Sequence, residues 1–152
     1  IAPETTIALA NRYPDNIIAI KDASEDLSRV ADHRMGIGKE FCQLSGNDEL
    51  ALPFNAAGGK GCISVTANVA PALCAEFQQA CADNDLVKAR QLNDRLYPLH
   101  YAMFEDSSPA PVKYALSRVH GWLTDEVRLP LCACSPEGRK AVDAALEHAG
   151  LV

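Results

Sequence analysis

Lys21 has the setting in this chain most suggestive of chemistry. It stands in residues 16–23 (NIIAIKDA), behind Ile17, Ile18, Ala19 and Ile20. In an extended segment alternate side chains share a face, so Ile17, Ala19, Lys21 and Ala23 line up together. The small neighbours Ala19 and Ala23 leave room around the amine. Desolvation favours the neutral form of an amine, and a neutral amine attacks a ketone carbonyl to give an imine. The competing reading is a lysine at a strand end that reaches solvent and pairs with Asp22 or Glu25, the commoner fate of lysines.

Two further positions could serve a ligand. Gly46, in Ser45-Gly46-Asn47-Asp48, follows a second apolar run, and a glycine there lets a ligand approach the backbone. An ordinary strand-to-helix turn explains it equally well. Ile63 lies in a third run and reads first as core. The cluster Gly58-Gly59-Lys60-Gly61 lacks the lysine-then-hydroxyl order of a phosphate loop and precedes a strand, so it is rejected as one. His33, His100, His120 and His148 show no ligand-like pairing and read as surface or partly buried structural residues. Of six cysteines, Cys132-Ala-Cys134 is the one close pair, and Pro130-Leu131 and Ser135-Pro136 around it supply no further metal ligands. No metal site is expected.

The elements that must position these residues alternate. Pro3 and Glu4 open a helix over residues 3–13, and Pro14-Asp15-Asn16 turns the chain. Residues 16–23 read as a strand buried on both faces, from the short β-branched run that Ile17, Ile18 and Ile20 supply. A helix is expected over 24–35 with Leu27, Val30 and Ala31 inward, closed by Gly36-Ile37-Gly38. Residues 41–45 form a second strand, 49–57 a short helix and 61–65 a third strand. This β-α-β-α-β order is that of parallel strands with crossover helices. The remainder is helical. Asn68 is expected to cap a helix through Ala82, and Asp85 a longer one that Pro98 should kink. Further helices cover 111–119 and 135–150, the latter opened by Ser135-Pro136-Glu137 and closed by Gly150. The three-stranded part leaves two apolar edges, which must be covered by something.

Composition narrows the function classes. The 152 residues are 48% apolar and 22% charged, which suits a folded globular chain. The net charge of −6 is spread without a basic run, so neither nucleic acid nor an anionic membrane is an expected partner. Apolar runs are far short of a membrane span, and residue 1 begins no basic-then-apolar leader. Cysteines embedded in apolar stretches fit reduced thiols and a cytoplasmic setting.

Several segments together resemble one family. Ile18-Ala19-Ile20-Lys21-Asp22-Ala23-Ser24 is similar to the lysine strand of the dihydrodipicolinate synthase and N-acetylneuraminate lyase superfamily. Leu44-Ser45-Gly46-Asn47-Asp48 resembles its next strand end. The stretch from Gly59 to Pro71, with Ser64-Val65-Thr66-Ala67-Asn68, resembles the last barrel strand of the synthase branch. Ser108-Pro109-Ala110-Pro111-Val112-Lys113 and Leu129-Pro130-Leu131 match its C-terminal region, where Cys132-Ala-Cys134 departs from the family's Pro- and Thr-rich stretch. The likeness runs from Ile1 to Val152.

The resemblance implies an α/β fold: the C-terminal part of a (β/α)8 TIM barrel. Residues 1–68 would supply strands six to eight, and residues 69–152 the last barrel helix and an all-helical C-terminal region. It implies that Lys21 is the catalytic residue, forming an imine with pyruvate whose enamine attacks aspartate semialdehyde, on the route to diaminopimelate and lysine. Gly46 and Ile63 would bind substrate through their backbone, with no metal and no dissociable cofactor. It implies a homo-oligomer, a dimer or tetramer. The family's relay tyrosine and second-substrate arginine would precede Ile1, so the chain is expected to be a fragment, inactive alone. Two alternatives stay open: a pyruvate-dependent aldolase acting on sugar acids, and a non-catalytic half-barrel that serves as an interaction module.

Overall fold

The computed structural model describes residues 1–152, which divide into two compact units, Ile1–Ile63 and Ser64–Val152. The sequence draws its division a little later, after residue 68. No helix is long and apolar enough to cross a membrane.

The first unit alternates helix and strand. Helix α1 (Pro3–Arg12) begins on Pro3, whose fixed φ suits a first turn. Strand β1 (Ala19–Asp22), helix α2 (Ser28–Gly36), strand β2 (Cys42–Ser45), a 3₁₀ turn (Asp48–Leu50), helix α3 (Ala51–Ala56) and strand β3 (Gly61–Cys62) follow. The strands are parallel in the order β1-β2-β3, as the alternating pattern expects. Pairing sets Ala19 beside Cys42, Lys21 beside Leu44 and Asp22 beside Ser45. Leu44 and Ser45 in turn pair with Gly61 and Cys62.

The strands are shorter than the apolar runs that encode them. The β1–β2 ladder opens with Cys42 N–H donating to the Ile18 carbonyl and closes with Gly46 N–H donating to that of Asp22. Residues 16 and 17 belong to a turn fixed on the Tyr13 carbonyl instead. The expectation that β1 is buried on both faces fails: Ala19 and Lys21 are exposed and Asp22 is buried. One face meets the helices and the other is bare.

Helix α2 starts four residues later than expected. The Asp22 carboxylate accepts from Ser24 N–H, the Asp26 carboxylate accepts from Ser28 N–H, and Glu25 sits at φ 66°. These local side-chain bonds compete with helical ones and hold the segment as consecutive turns. The inward residues are Val30 and His33, while Ala31 is exposed.

Behind β2 lies a buried polar cluster. Gln43 and Ser45, at 1% exposure each, face the helices, while Cys42 and Leu44 face the bare side. Gln43 donates its amide to the Val30 carbonyl (3.1 Å), which leaves its oxygen to meet His33 Nδ1 at 3.2 Å. His33 is fully buried, further inside than the surface or partly buried structural place its sequence context suggests. Its ring also meets Phe41 edge-on.

The second unit is helical: a 3₁₀ turn (Thr66–Asn68), then α4 (Pro71–Ala82), α5 (Leu86–Ala102), α6 (Ala110–Val119) and α7 (Pro136–Ala149). Pro71 opens α4, and Asn68 does not cap it; its amide donates to the Val65 carbonyl. Asp85 does cap α5, accepting from Lys88 N–H. Ala89, Leu92, Leu96 and Leu99 form the buried stripe of α5 at helical spacing. The helix runs unbroken through Pro98. Proline has no N–H for the carbonyl four residues back, and that carbonyl, of Asp94, instead meets His148 Nε2 of α7 at 3.1 Å. Ser135 caps α7 through Gly138 N–H, and Gly150 ends it at φ 67°.

Asp106 reaches the start of α7, accepting from Ser135 N–H at 2.7 Å and from the Cys134 thiol at 3.4 Å. Burial and that carboxylate raise the Cys134 thiol to a pKa of about 11. All six cysteines are free thiols, and Cys132 alone among them is exposed.

Leu96 has no exposed surface. Leu96→Ala is expected to lower the unfolding free energy by about 2–5 kcal/mol through lost burial and a residual cavity. Equilibrium urea unfolding checks it.

Candidate active site

The strand register assembles three residues chosen from sequence. Neighbours in a parallel ladder point to one side, and residues two apart return to that side. Lys21 pairs with Leu44 and Leu44 with Gly61. Lys21, Leu44, Gly46 and Ile63 therefore share the bare sheet face, with Ala19, Ala23 and Cys42. Lys21, Gly46 and Ile63 all lie at or just past the C-terminal ends of their strands, where parallel α/β folds place their sites.

Gly46 is there because nothing larger fits. A Cβ at this position would lie 2.9 Å from Lys21 Cε, 2.7 Å from Ala23 Cβ and 3.3 Å from the Ala23 backbone. The lysine stem thus lies against the Gly46 backbone, with Ala23 on the other side. Gly46 N–H itself donates to the Asp22 carbonyl at 2.7 Å, so the glycine is a rung of the ladder. Ile63 holds a similar place on β3: its N–H donates to the Ser45 carbonyl at 2.8 Å, and its side chain is 47% exposed. The reading of Ile63 as core is not met.

Lys21 borders an open recess of about 340 Å³ lined with Ile1, Ile20, Asp22, Ala23, Ser24 and Arg29. Its side chain is exposed, contrary to the expected desolvation, because no element of the first unit covers the face on which it stands. A lysine on this surface can present its amine to a small keto acid from the open side, flanked by methyl groups and a bare stretch of backbone.

The sequence reading allowed Asp22 as a partner for Lys21. The strand pleat sends them to opposite faces, and Asp22 pairs with Arg29. Arg29 Nε lies 2.7 Å from the carboxylate, with both side chains largely buried, and the same guanidinium donates to the Ile1 carbonyl at 2.8 Å. Burial alone would raise the Asp22 carboxyl. Hydrogen bonds from Ser24 and Arg29 more than offset it, and the group lies below the usual carboxylate range. This pair holds the loop that leaves β1 just beyond the lysine. An isolated Asp and an Arg seven residues on carry no signal that would mark them in sequence.

Residues 1–149 match the Dihydrodipicolinate synthetase family. The chain is 74% identical over 152 residues to the 4-hydroxy-tetrahydrodipicolinate synthase of Novosphingobium aromaticivorans, covering 100% of this chain and 51% of that protein. It is 72% identical over its full length to the enzyme of the same name from Erythrobacter litoralis, covering 52% of it. A crystal structure of dihydrodipicolinate synthase from Aquifex aeolicus superposes with a TM-score of 0.92 at 34% identity, over 99% of this chain and 51% of that one. The chain therefore spans about half the length of the curated relatives it matches.

Two expectations follow from this geometry. Gly46→Ala should displace the Lys21 stem and weaken the β1–β2 ladder, at a cost of about 1–3 kcal/mol by overpacking, read by urea unfolding. The Asp22 carboxyl is lower folded than unfolded, so its contribution is present above the unfolded pKa and disappears as pH falls through the folded one. Asp22→Asn should flatten the acid limb of a stability-against-pH profile measured from about pH 6 down to about pH 2.

Proposed function

This chain belongs to the Dihydrodipicolinate synthetase family, and from that premise we propose that the full-length protein carrying it condenses pyruvate with aspartate semialdehyde to give 4-hydroxy-tetrahydrodipicolinate, with Lys21 as the covalent residue. The observation that carries the reading is the shared face of Lys21, Gly46 and Ile63 at the C-terminal ends of three parallel strands. Its setting is proposed to be cytoplasmic and its assembly a homo-oligomer, a dimer or tetramer.

The proposed chemistry follows from the amine. Neutral Lys21 Nζ adds to the pyruvate keto carbon, loss of water from the carbinolamine gives an imine, and uptake of a proton on its nitrogen gives the iminium. Its positive nitrogen acidifies the adjacent methyl group, and a proton leaves to give the enamine. The enamine carbon attacks the aldehyde carbon of aspartate semialdehyde, forming the new carbon–carbon bond and an alkoxide that takes up a proton. The substrate's own amino group then displaces Nζ from the imine carbon, closing the ring and freeing the lysine. Gly46 and Ile63 supply a backbone floor on which a planar three-carbon acid can lie. The lysine performs the electron-sink role that cofactors serve elsewhere.

The proton transfers need further groups. Tyr13 follows α1, Tyr97 and Tyr101 bond to each other on the exposed side of α5, and Tyr114 is engaged with Asp143 on α7. We therefore assign the relay to residues outside 1–152. General acid–base groups contribute about 10² to 10⁴ in rate, and residues 1–152 alone should fall short by that factor.

The test uses the full-length protein. Pyruvate followed by borohydride should leave one reduced pyruvyl adduct, mapped to Lys21 by peptide mass, and Lys21→Ala should abolish both adduct and condensation. An adduct on Lys60 or Lys113 would remove Lys21 from its role. Turnover of sugar acids in preference to aspartate semialdehyde would move the protein to the aldolase branch. Residues 1–152 should regain condensation only when mixed with the preceding half.

A further inference from the structure

The start of α1 has no cap of its own. Ala2 stands at its N-cap position and makes no side-chain bond to the first turn. Side-chain bonds between α1 and α2 set its place instead. Arg29, near the start of α2, donates to the Ile1 carbonyl at 2.8 Å, and Asn11, near the end of α1, donates to the Gly36 carbonyl at 3.0 Å. Start meets start and end meets end. The two helices therefore run side by side in one direction, as successive crossover helices on a parallel sheet do. The chain leaves β1 into α2, so Ile1 comes to the C-terminal end of β1 as well. It lines the recess beside Lys21 together with Ala23, Ser24 and Arg29.

Arg29 is fixed before it reaches Ile1. Its Nε lies 2.7 Å from Asp22 Oδ2, and Asp22 Oδ1 accepts from Ser24 N–H at 2.9 Å. A guanidinium holds its donors in a rigid planar fork, so an anchor on Nε directs the outer nitrogen. The bonds from Ser24 through Asp22 and Arg29 thus carry the position of the lysine strand's end to residue 1. This chain is the C-terminal part of a barrel and covers 51% of its Novosphingobium aromaticivorans relative. In a parallel alternation the segment ahead of a crossover helix is a strand that finishes at the same end of the sheet. The residues just ahead of Ile1 therefore stand at the open side of the recess.

We propose that Arg29 is a positioning residue for the second half of the reaction: keyed to β1 by Asp22, it holds the segment arriving at Ile1 as the missing wall of the Lys21 recess. The inference rests on the reading of Lys21 as the covalent residue, with the proton-transfer groups outside residues 1–152. Gly46 and Ile63 lie on the β2 and β3 side of Lys21, whereas no residue of either strand lines the recess. Pyruvate resting on that glycine floor leaves the recess to the incoming aldehyde. Arg29 touches neither substrate. Its loss loosens the wall against which the aldehyde is aimed and leaves imine formation at Lys21 in place.

The experiment compares full-length wild-type protein with Arg29→Gln, Asp22→Asn, the double variant and Arg29→Lys. It measures the reduced pyruvyl adduct at Lys21, kcat/KM for aspartate semialdehyde at saturating pyruvate, and hydrogen exchange by peptide mass. Misplacing a reacting partner costs up to about a hundredfold, so kcat/KM for the aldehyde should fall by about tenfold to a hundredfold in Arg29→Gln and Asp22→Asn. The double variant should fall no further, because the two residues act as one unit. Pyruvate trapping should match wild type. Exchange should rise in the peptide that runs into residue 1 and stay unchanged in residues 16–23 and 41–46. A wild-type kcat/KM for the aldehyde overturns the proposal, and so does unchanged exchange ahead of Ile1. Equal losses of adduct and condensation also overturn it, since they mark a purely structural pair. Should Arg29→Gln or Asp22→Asn fail to fold, Arg29→Lys decides, because it keeps a cation for Asp22 and lacks the fork. A loss confined to the aldehyde then supports the proposal, and wild-type values or equal losses overturn it. A wild-type protein that traps no pyruvate at Lys21 sinks the functional reading itself before any variant is compared, while exchange still decides whether Arg29 holds residue 1.

Discussion

The pairing register of β1 against β2 is the constraint on which the site depends. Side chains on a strand alternate, so one register places Lys21, Leu44 and Gly46 on a common face and any slip by one residue scatters them. Two devices hold this register. On the front, Gly46 is the one residue type that can lie against the Lys21 stem and Ala23. On the back, Gln43 is satisfied only where the Val30 carbonyl and His33 meet it. A slipped strand would bury that amide without partners, at a cost of about 1–3 kcal/mol. The register is therefore set by polar satisfaction behind the sheet as much as by packing.

This arrangement inverts the usual amphipathic strand. In β2 the polar residues Gln43 and Ser45 are buried and the less polar Cys42 and Leu44 face the bare side. A face that carries Leu44, Ile63 and several methyl groups is suited to burial. The exposure of Lys21 belongs to the same circumstance, in a chain about half as long as the relatives it matches. Two surfaces of one sheet are thus both built for contact, one already made with α2 and α3 and one open.

Much of this was legible from residues 16–65 because the signals were local. The β-branched residues before Lys21, the glycines that close α2 and follow β2, and the β-α-β-α-β order fix parallel strands without reference to distant residues. The caps on α5 and α7 were equally local, since Asp85 and Ser135 act within three residues of themselves. What escaped was decided at a distance. His33 and Gln43 lie on different elements, and nothing in either neighbourhood announces that they meet inside. The Asp22–Arg29 pair escaped likewise, and the late start of α2 followed from carboxylates that bond backbone amides in preference to extending the helix. Ile63 looked like core because its residue type is usually core; a strand at the edge of three leaves it open.

The thiol chemistry of the second unit has a practical side. Cys134 is buried and donates to Asp106, which together push its thiol up to about 11 and disfavour the thiolate that an electrophile traps. Cys132, two residues earlier, is the one exposed cysteine of six. Maleimide chemistry on the native sequence thus has a preferred address before any cysteine is engineered out. A fluorophore placed there reports on the approach to α7 without disturbing the carboxylate that anchors it.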